Sequence, residues 1–156
     1  MESVKNQQEW NQIAEVELIY KTKVKASERP HVTTSSDAAQ LLKQSWDPDK
    51  IDFVEQFKVL FLNRANKVLG ILEVSTGGVT GTICDPRVIF VAALKANATA
   101  IVISHNHPSG NLKPSKADEE LTQKIKHGAT FLDIRLLDHI IITSESYYSF
   151  ADEGLI

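Results

Sequence analysis

The sequence AIVIS at residues 100–104, followed by HNHPSG at residues 105–110, decides the fold and points to its chemistry. The first stretch lacks polar–apolar alternation, which predicts a strand buried on both faces of a sheet. Pro108 then ends the strand, and the Ser-Gly pair after it favours a loop. The sequence KADEEL at residues 116–121 is typical of a helix start. A buried strand, a loop and a helix start are therefore predicted in direct succession.

Two histidines and one aspartate in this window have the spacing of ligands for a single metal ion. His105 and His107 are two residues apart, so both side chains point the same way from an extended strand. Asp118 falls in the first turn of the helix, where the helix dipole favours a carboxylate that can reach back toward the imidazoles. Two His nitrogens and one Asp oxygen predict a three-ligand zinc site, whose open fourth position takes a water of lowered pKa. The predicted site is hydrolytic.

Such a site also needs a general base that takes a proton from water and returns it to the leaving group. Glu55 stands just before a predicted strand and Glu73 late in the next one, and spacing alone does not choose between them. Ser115 lies three residues before Asp118 and is expected to cap the helix. Its hydroxyl is also a candidate donor to the oxyanion of a tetrahedral intermediate. The sequence thus offers two candidate bases and one candidate oxyanion donor.

The other histidines and the cysteine are interpreted as structural residues. His139 is expected to be a hydrogen-bonded core histidine or a partner of a ligand, and it is the fourth histidine to test. His31 lies in a polar segment and His127 late in a helix, so neither is a candidate ligand. Cys84, the one cysteine, is predicted to be a small buried apolar residue.

Length, composition and charge narrow the class of protein. The 156 residues fit one compact domain with its own core. A single cysteine excludes an internal disulfide. The sequence also has no apolar run of about 20 residues and no apparent signal segment. The chain is therefore expected in the cytoplasm. The 17 Lys and Arg against 20 Asp and Glu give a net charge of −3, whereas proteins that bind nucleic acid through its phosphates usually carry a basic excess.

Periodicity and cap residues predict alternating strands and helices. Strands are predicted at residues 15–24, 57–62, 68–74, 100–104 and 134–143, with residues 147–150 closing the core. Helices are predicted from the caps at residues 34–37 to about residue 46, from 86 to about 95, and from 115 to 127 with Gly128 as its C-terminal cap. The residues of the second helix that are expected to face a sheet are Val88, Val91, Ala92 and Leu94. The predicted class is α/β, with a mixed sheet flanked by helices.

The spacing around the predicted ligands resembles a known signature. His-x-His, seven residues, Ser, two residues and Asp is the JAMM signature of MPN (JAB) metalloprotease domains, and His105, His107, Ser115 and Asp118 match it position by position. Three further motifs narrow the resemblance to the RadC family of bacterial proteins. They are SHNHPSG at 104–110, LLDHII at 136–141 and YYSF at 147–150. It covers a single domain at residues 33–156, preceded by an N-terminal extension, residues 1–32, with the early strand.

The resemblance implies a cytidine-deaminase-like JAB/MPN fold with Zn²⁺ held by His105, His107 and Asp118. It also implies that Glu55 is the base, because JAMM proteins place their glutamate at the start of a strand well upstream. Relatives of this type hydrolyse peptide or isopeptide bonds, so the implied partner is a peptide or protein substrate. The alternative is a DNA-repair-associated nucleic-acid-binding protein with little or no catalysis. That role is expected to be weaker here, because the chain lacks room for the helix-hairpin-helix segment of full-length RadC proteins.

Overall fold

The structure is a computed structural model and describes residues 13–17, 19–78 and 83–156. In these residues a short 3₁₀ turn, Ala26–Glu28, precedes the regular elements. The helices are α1 (Ser35–Ser45), α2 (Pro48–Ile51), α3 (Pro86–Lys95) and α4 (Lys116–Phe131). The strands are β1 (Gln56–Leu62), β2 (Val68–Thr76), β3 (Ala100–Asn106), β4 (Arg135–Ile142) and β5 (Tyr147–Ser149).

The strands form one mixed sheet in the order β2-β1-β3-β4-β5. Strand β3 pairs in parallel with β4, and the other neighbours are antiparallel. The parallel pair is joined by α4, as a parallel connection requires a crossover. The predicted α/β class with a mixed sheet flanked by helices is confirmed.

Helices cover both faces of the sheet and create two apolar cores. We call the face under α3 and α4 the front face; its core includes Ile89, Ala93, Ile125 and Ala129 of the helices and Phe57, Val59, Ile101 and Ile103 of the strands. We call the face under α1 and α2 the back face; its core includes Ala38, Leu42, Ile51, Leu60, Val102 and Ile140. Alternate residues of β1 and β3 point to opposite faces. The sheet is thus the middle layer of three, and its central strands are buried on both sides.

Strand β3 is the most deeply buried element and is longer than predicted. It extends two residues beyond Ser104 to Asn106, and all seven of its residues are buried. The predicted burial on both faces is confirmed. The extension carries His105 into the sheet, so the candidate site lies at the end of a central strand.

Helix α4 continues past the residue that was expected to end it. The prediction that Gly128 caps this helix is wrong, because the helix reaches Phe131. It ends in a Schellman motif: Asp133 has φ 56°, its N–H donates to the carbonyl of Thr130, and the N–H of Ile134 donates to that of Ala129. Gly128 serves a different purpose, since a Cβ there would lie 2.8 Å from Cε2 of Phe90. Glycine allows α3 and α4 to approach each other closely.

Helix α3 has its predicted bounds but turns another side to the sheet. Ile89 and Ala93 are buried, whereas Val88, Val91 and Leu94 are exposed and Ala92 is half-buried. The predicted sheet-facing side is therefore wrong. The helix carries apolar residues on more than one side, so its sequence alone did not indicate which side packs.

Cys84, just before this helix, is half-buried, and burial followed by the charge of Asp85 raises its pKa to about 12.

The early strand predicted at residues 15–24 is not found in its described part. Residues 15–17 and 19–24 have no regular strand structure, and Leu18 lies outside the described residues. Val16 is 85% exposed, so its alternation does not reflect a buried face. In this segment the Tyr20 hydroxyl donates to the carbonyl of Leu69 in the sheet over 2.7 Å.

Among the described helices, none combines the length and apolar character needed to cross a membrane.

The Gly128 packing predicts that a bulky side chain at this position destabilises the fold. Gly128→Ile would drive its side chain into the Phe90 ring, and overpacking of this kind costs about 1–3 kcal/mol. We expect the free energy of unfolding, measured by chemical denaturation, to fall by that amount. His127→Ile, which places the same side chain at an exposed position of α4, is the control and should change it by less than about 0.5 kcal/mol. Equal losses in the two variants would contradict the packing argument.

Candidate metal centre

Three potential ligands meet on the front face at the end of β3. The Nε2 atoms of His105 and His107 are 2.9 Å apart, and the Asp118 carboxylate lies 3.3 Å from the first and 3.5 Å from the second. Ligands about 2.0–2.1 Å from one tetrahedral ion lie about 3.3 Å from each other. The donor atoms therefore already have the separations that a shared ion requires. The cluster can hold a metal ion.

The strand and the turn after it place both imidazoles on one side. His105 lies within β3, and His107 continues the ladder one residue further because its N–H donates to the carbonyl of Ile142 over 3.0 Å. The chain then reverses in a turn, closed by the Gly110 N–H on the carbonyl of His107. Gly110 has φ 81°, a conformation that glycine adopts without steric cost. The turn predicted from Pro-Ser-Gly is confirmed, and it leads the chain back toward Asp118.

Asp118 is held in place by the cap of helix α4. Ser115 is the N-cap, as predicted: its Oγ accepts from the Asp118 N–H over 3.1 Å. In return the Ser115 N–H donates to Oδ2 of Asp118 over 2.8 Å, which completes a capping box. The carboxylate is thus fixed at the helix N-terminus, where the dipole favours its charged form.

The electrostatics of the cluster favour a charged aspartate beside the imidazoles. Burial alone would raise the pKa of Asp118, but hydrogen bonds with His105 and His107 outweigh it and hold that pKa well below its usual range. The pKa of His107 is raised, first by its hydrogen bond with Asp118, and burial opposes the shift. The Asn111 carbonyl also faces Nδ1 of His107 at 2.5 Å. A carbonyl only accepts, so Nδ1 carries a hydrogen, and in the neutral ring the lone pair is on Nε2, facing Asp118.

His139 lies behind the cluster as a buried partner of a candidate ligand. Its Nε2 is 2.8 Å from Nδ1 of His105, and its ring stacks on Phe150 with centroids 4.5 Å apart. Burial, followed by the charge of His105, lowers its pKa well below the usual histidine value, so the ring is neutral. The structure therefore places His139 in the hydrogen-bonded core, as the sequence indicated. Among the described residues the backbone of His31 forms an isolated bridge with Lys67, and His127 is exposed on α4.

The two candidate bases have different neighbours. Phe57 is paired with His105 across the β1–β3 ladder and its ring stacks parallel to the imidazole. Glu55 lies just before β1, two residues ahead of Phe57, and its charge contributes to the raised pKa of His107. Glu73 is instead paired with Lys58, whose ammonium donates to the Ser45 carbonyl of α1 on the back face.

Glu73 is also occupied by hydrogen bonds on the back face. Its Oε1 accepts from the Gln56 side-chain amide over 3.1 Å and from the Thr76 hydroxyl in a very short contact. These bonds lower the pKa of Glu73, the Thr76 hydroxyl most, against the effect of burial. Glu55 is half-buried and fixed through its backbone, where its carbonyl accepts from the Gly77 N–H. The arrangement favours Glu55 over Glu73 as the carboxylate nearest the cluster.

Asn106, between the two histidines, holds the segment that carries Glu55. Its Oδ1 accepts from the Gln56 N–H over 2.7 Å, and its amide donates to the carbonyls of Ile51 and Val54 over 2.7 and 2.8 Å. The side chain is fully buried. This role was not predicted from the sequence, since nothing local to Asn106 indicates partners 50 or more residues away.

Comparison with known proteins gives the sequence a family context. A family model described as "RadC-like JAB domain" matches residues 32–155. A relative from Flavobacterium johnsoniae, named UPF0758 protein, is 52% identical over 101 residues, which are 65% of this chain and 44% of that protein. Proteins of the same name from Porphyromonas gingivalis and Variovorax paradoxus are 46% and 42% identical, over 65% of this chain and 45% of each relative. The matched part of the chain spans less than half the length of these curated relatives.

The Asn106 contacts predict a large loss of stability when the side chain is removed. Asn106→Ala would leave one N–H and two carbonyls of the 51–56 segment without their partner, and each unsatisfied buried group costs about 1–3 kcal/mol. We expect the free energy of unfolding to fall by about 3 kcal/mol in total, because water will reach some of these groups. Gln44→Ala, at an exposed position of α1, is the control. A loss below about 0.5 kcal/mol would show that Asn106 does not hold the segment.

Proposed function

Because the chain belongs to the family of RadC-like JAB domains, we propose that it is a zinc-dependent hydrolase of peptide, isopeptide or amide bonds. The observation that carries this proposal is the cluster of His105, His107 and Asp118, whose His107 also senses the charge of Glu55. This combination of two imidazoles, a carboxylate ligand and a further carboxylate is the set that hydrolysis by an activated water requires.

The choice of zinc rests on the chemistry of the donors. Imidazole nitrogen with a single carboxylate oxygen suits Zn²⁺ better than Mg²⁺ or Ca²⁺, which prefer oxygen ligands throughout. Three protein ligands are typical of catalytic zinc sites, whereas structural sites are closed by four. When bound, the ion would act as a Lewis acid that lowers the pKa of water and polarises the carbonyl of the substrate.

Glu55 would act as the general base in this reaction. It would take the proton from the attacking water and deliver it to the nitrogen of the leaving group, so that one residue acts first as base and then as acid. Its position two residues before Phe57, whose ring stacks on His105, supports the assignment. Its backbone is held by Gly77 and, through the neighbouring Gln56, by Asn106, which would keep the carboxylate in reach.

Ser115 would assist by donating to the oxyanion. Its Oγ uses a lone pair to cap the helix at the Asp118 N–H, which leaves the hydroxyl hydrogen available for a second partner. A donor aimed at the developing negative charge stabilises the tetrahedral intermediate. A peptide or protein is the proposed substrate. The net charge of −3 gives the alternative role on nucleic acid no electrostatic support.

Metal analysis tests the centre directly. The purified chain, loaded with zinc and freed of excess ion, should retain about one zinc per molecule, since one three-ligand site is proposed. His107→Ala removes a ligand and should lose most of it, while His127→Ala, at an exposed position of α4, should retain it. Elemental analysis by mass spectrometry measures the content. Wild-type chain without zinc, or His107→Ala with full occupancy, would refute the proposed centre.

Hydrolysis assays separate the two glutamates. With pools of internally quenched peptides as probes, we expect zinc-loaded Glu55→Gln to cleave at least about 100-fold more slowly than wild type, the usual loss when a general base is removed. Glu73→Gln should retain wild-type rates, because Glu73 lies on the back face.

Zinc content must be measured in both variants, so that a loss of activity is not a loss of metal. If Glu73→Gln is inactive and Glu55→Gln is active, the base assignment is wrong although the metal centre stands. If the wild-type chain cleaves none of the peptides, the proposed substrate class is wrong.

A further inference from the structure

Two buried side chains, His139 and Thr122, connect the candidate ligand His105 to the backbone of the candidate ligand Asp118. Nδ1 of His105 lies 2.8 Å from Nε2 of His139, and Nδ1 of His139 lies 2.6 Å from Oγ1 of Thr122. Oγ1 of Thr122 in turn lies 2.6 Å from the carbonyl oxygen of Asp118, one helical turn earlier. His105, His139 and Thr122 are all at most 1% exposed. This relay is therefore shielded from water along its whole length.

The direction of every hydrogen bond in the relay follows from the group at its end, the backbone carbonyl of Asp118. A backbone carbonyl only accepts, so the Thr122 hydroxyl hydrogen points to Asp118. Thr122 Oγ1 must then accept from His139, which places the single hydrogen of a neutral His139 ring on Nδ1. Nε2 of His139 is left as an acceptor, and His105 must donate to it from Nδ1. When the His105 ring is neutral, its one hydrogen is therefore on Nδ1 and its Nε2 atom has a bare lone pair.

The opposite direction is unfavourable at both ends of the relay. If Nε2 of His139 donated to His105, the Thr122 hydroxyl would have to donate to His139. The oxygen of Thr122 would then face the Asp118 carbonyl at 2.6 Å without a hydrogen between them. The carbonyl would keep its helical partner, the Thr122 N–H, but two oxygen atoms that close repel each other. It would also put a hydrogen on Nε2 of His105, where the proposed ion is to bind.

We propose that Thr122 and His139 are positioning residues that fix the tautomer of His105, so that its Nε2 lone pair is presented to the metal before the ion arrives. The inference rests on the metal centre of the proposed function but not on hydrolysis or on any substrate. Helix α4 then supplies both Asp118 and, one turn later, Thr122. One helix therefore positions a ligand directly and orients another through two side chains.

The test compares two substitutions of Thr122. Thr122→Val removes the hydroxyl and nearly preserves the shape, whereas Thr122→Ser retains the hydroxyl and loses only a methyl group. Loss of such an outer partner typically weakens metal binding by about 10- to 100-fold. We expect that loss in the zinc affinity of Thr122→Val, measured by competition with a chromophoric chelator on the full chain. Thr122→Ser should bind zinc nearly as tightly as wild type.

The tautomer itself can be measured without metal. Long-range ¹⁵N–¹H correlation spectra of the zinc-free chain at about pH 8, above the usual histidine pKa, distinguish Nδ1–H from Nε2–H rings. His105 should be in the Nδ1–H form in wild type and Thr122→Ser, and should lose that preference in Thr122→Val. His107 is an internal reference, because its Nδ1 is bound to the Asn111 carbonyl and not to the relay.

An Nε2–H form of His105 in the wild-type chain would overturn the proposal, and this measurement needs no variant to fold. Unchanged zinc affinity and an unchanged tautomer in folded Thr122→Val would overturn it as well. A chain that binds zinc and shows the expected tautomer but cleaves no peptide would refute the proposed reaction and leave this inference intact. The two claims therefore fail separately.

Discussion

The polar end of strand β3 is buried as completely as its apolar beginning, and the structure is organised around that constraint. Ser104, His105 and Asn106 are each at most 1% exposed. Because a buried polar group without a partner costs about 1–3 kcal/mol, each of them must find one inside the protein. The Ser104 hydroxyl donates to the carbonyl of Ile140, His105 is paired with His139, and Asn106 holds the segment before β1. These bonds satisfy the polar side chains of β3 and also hold the neighbouring segments in place.

Alternation along the strand lets two sides of the sheet contribute to one centre. His105 projects to the front face, where it meets His107 and Asp118. Asn106 projects to the back face, yet it binds the backbone just before and after Glu55. The ligand and the support for the proposed base are therefore consecutive residues. A shift of register by one residue would exchange their faces and dismantle both arrangements.

The fold class, the buried central strand and the starts of α1, α3 and α4 were predictable because their causes are local; the short helix α2 was not predicted. Cap residues such as Ser115 and the spacing of His105, His107 and Asp118 are visible in a few consecutive residues. The end of α4 was misjudged because Asp133, not a glycine, adopts the left-handed conformation there. The packed side of α3 depends on the sheet it meets, which the helix sequence does not specify.

Partners distant in sequence were the least predictable part of the site. The relative positions of Glu55 and Glu73 become apparent only from the pairing of β1 with β2 and β3. Thr122 was missed because a threonine that binds the carbonyl four residues earlier is ordinary in helices. Only the return of β4 beside β3 brings His139 to it.

The capping box gives Asp118 two tasks that are thermodynamically linked. The same carboxylate that faces the imidazoles also accepts from the Ser115 N–H at the start of α4. A ligand that binds only the native form stabilises it in proportion to its occupancy. An ion held by Asp118 would therefore make fraying of the first turn of α4 less favourable. In the same way, any change that promotes fraying would lower the affinity for the ion. Amide exchange at the start of this helix and occupancy of the centre thus report one shared local equilibrium.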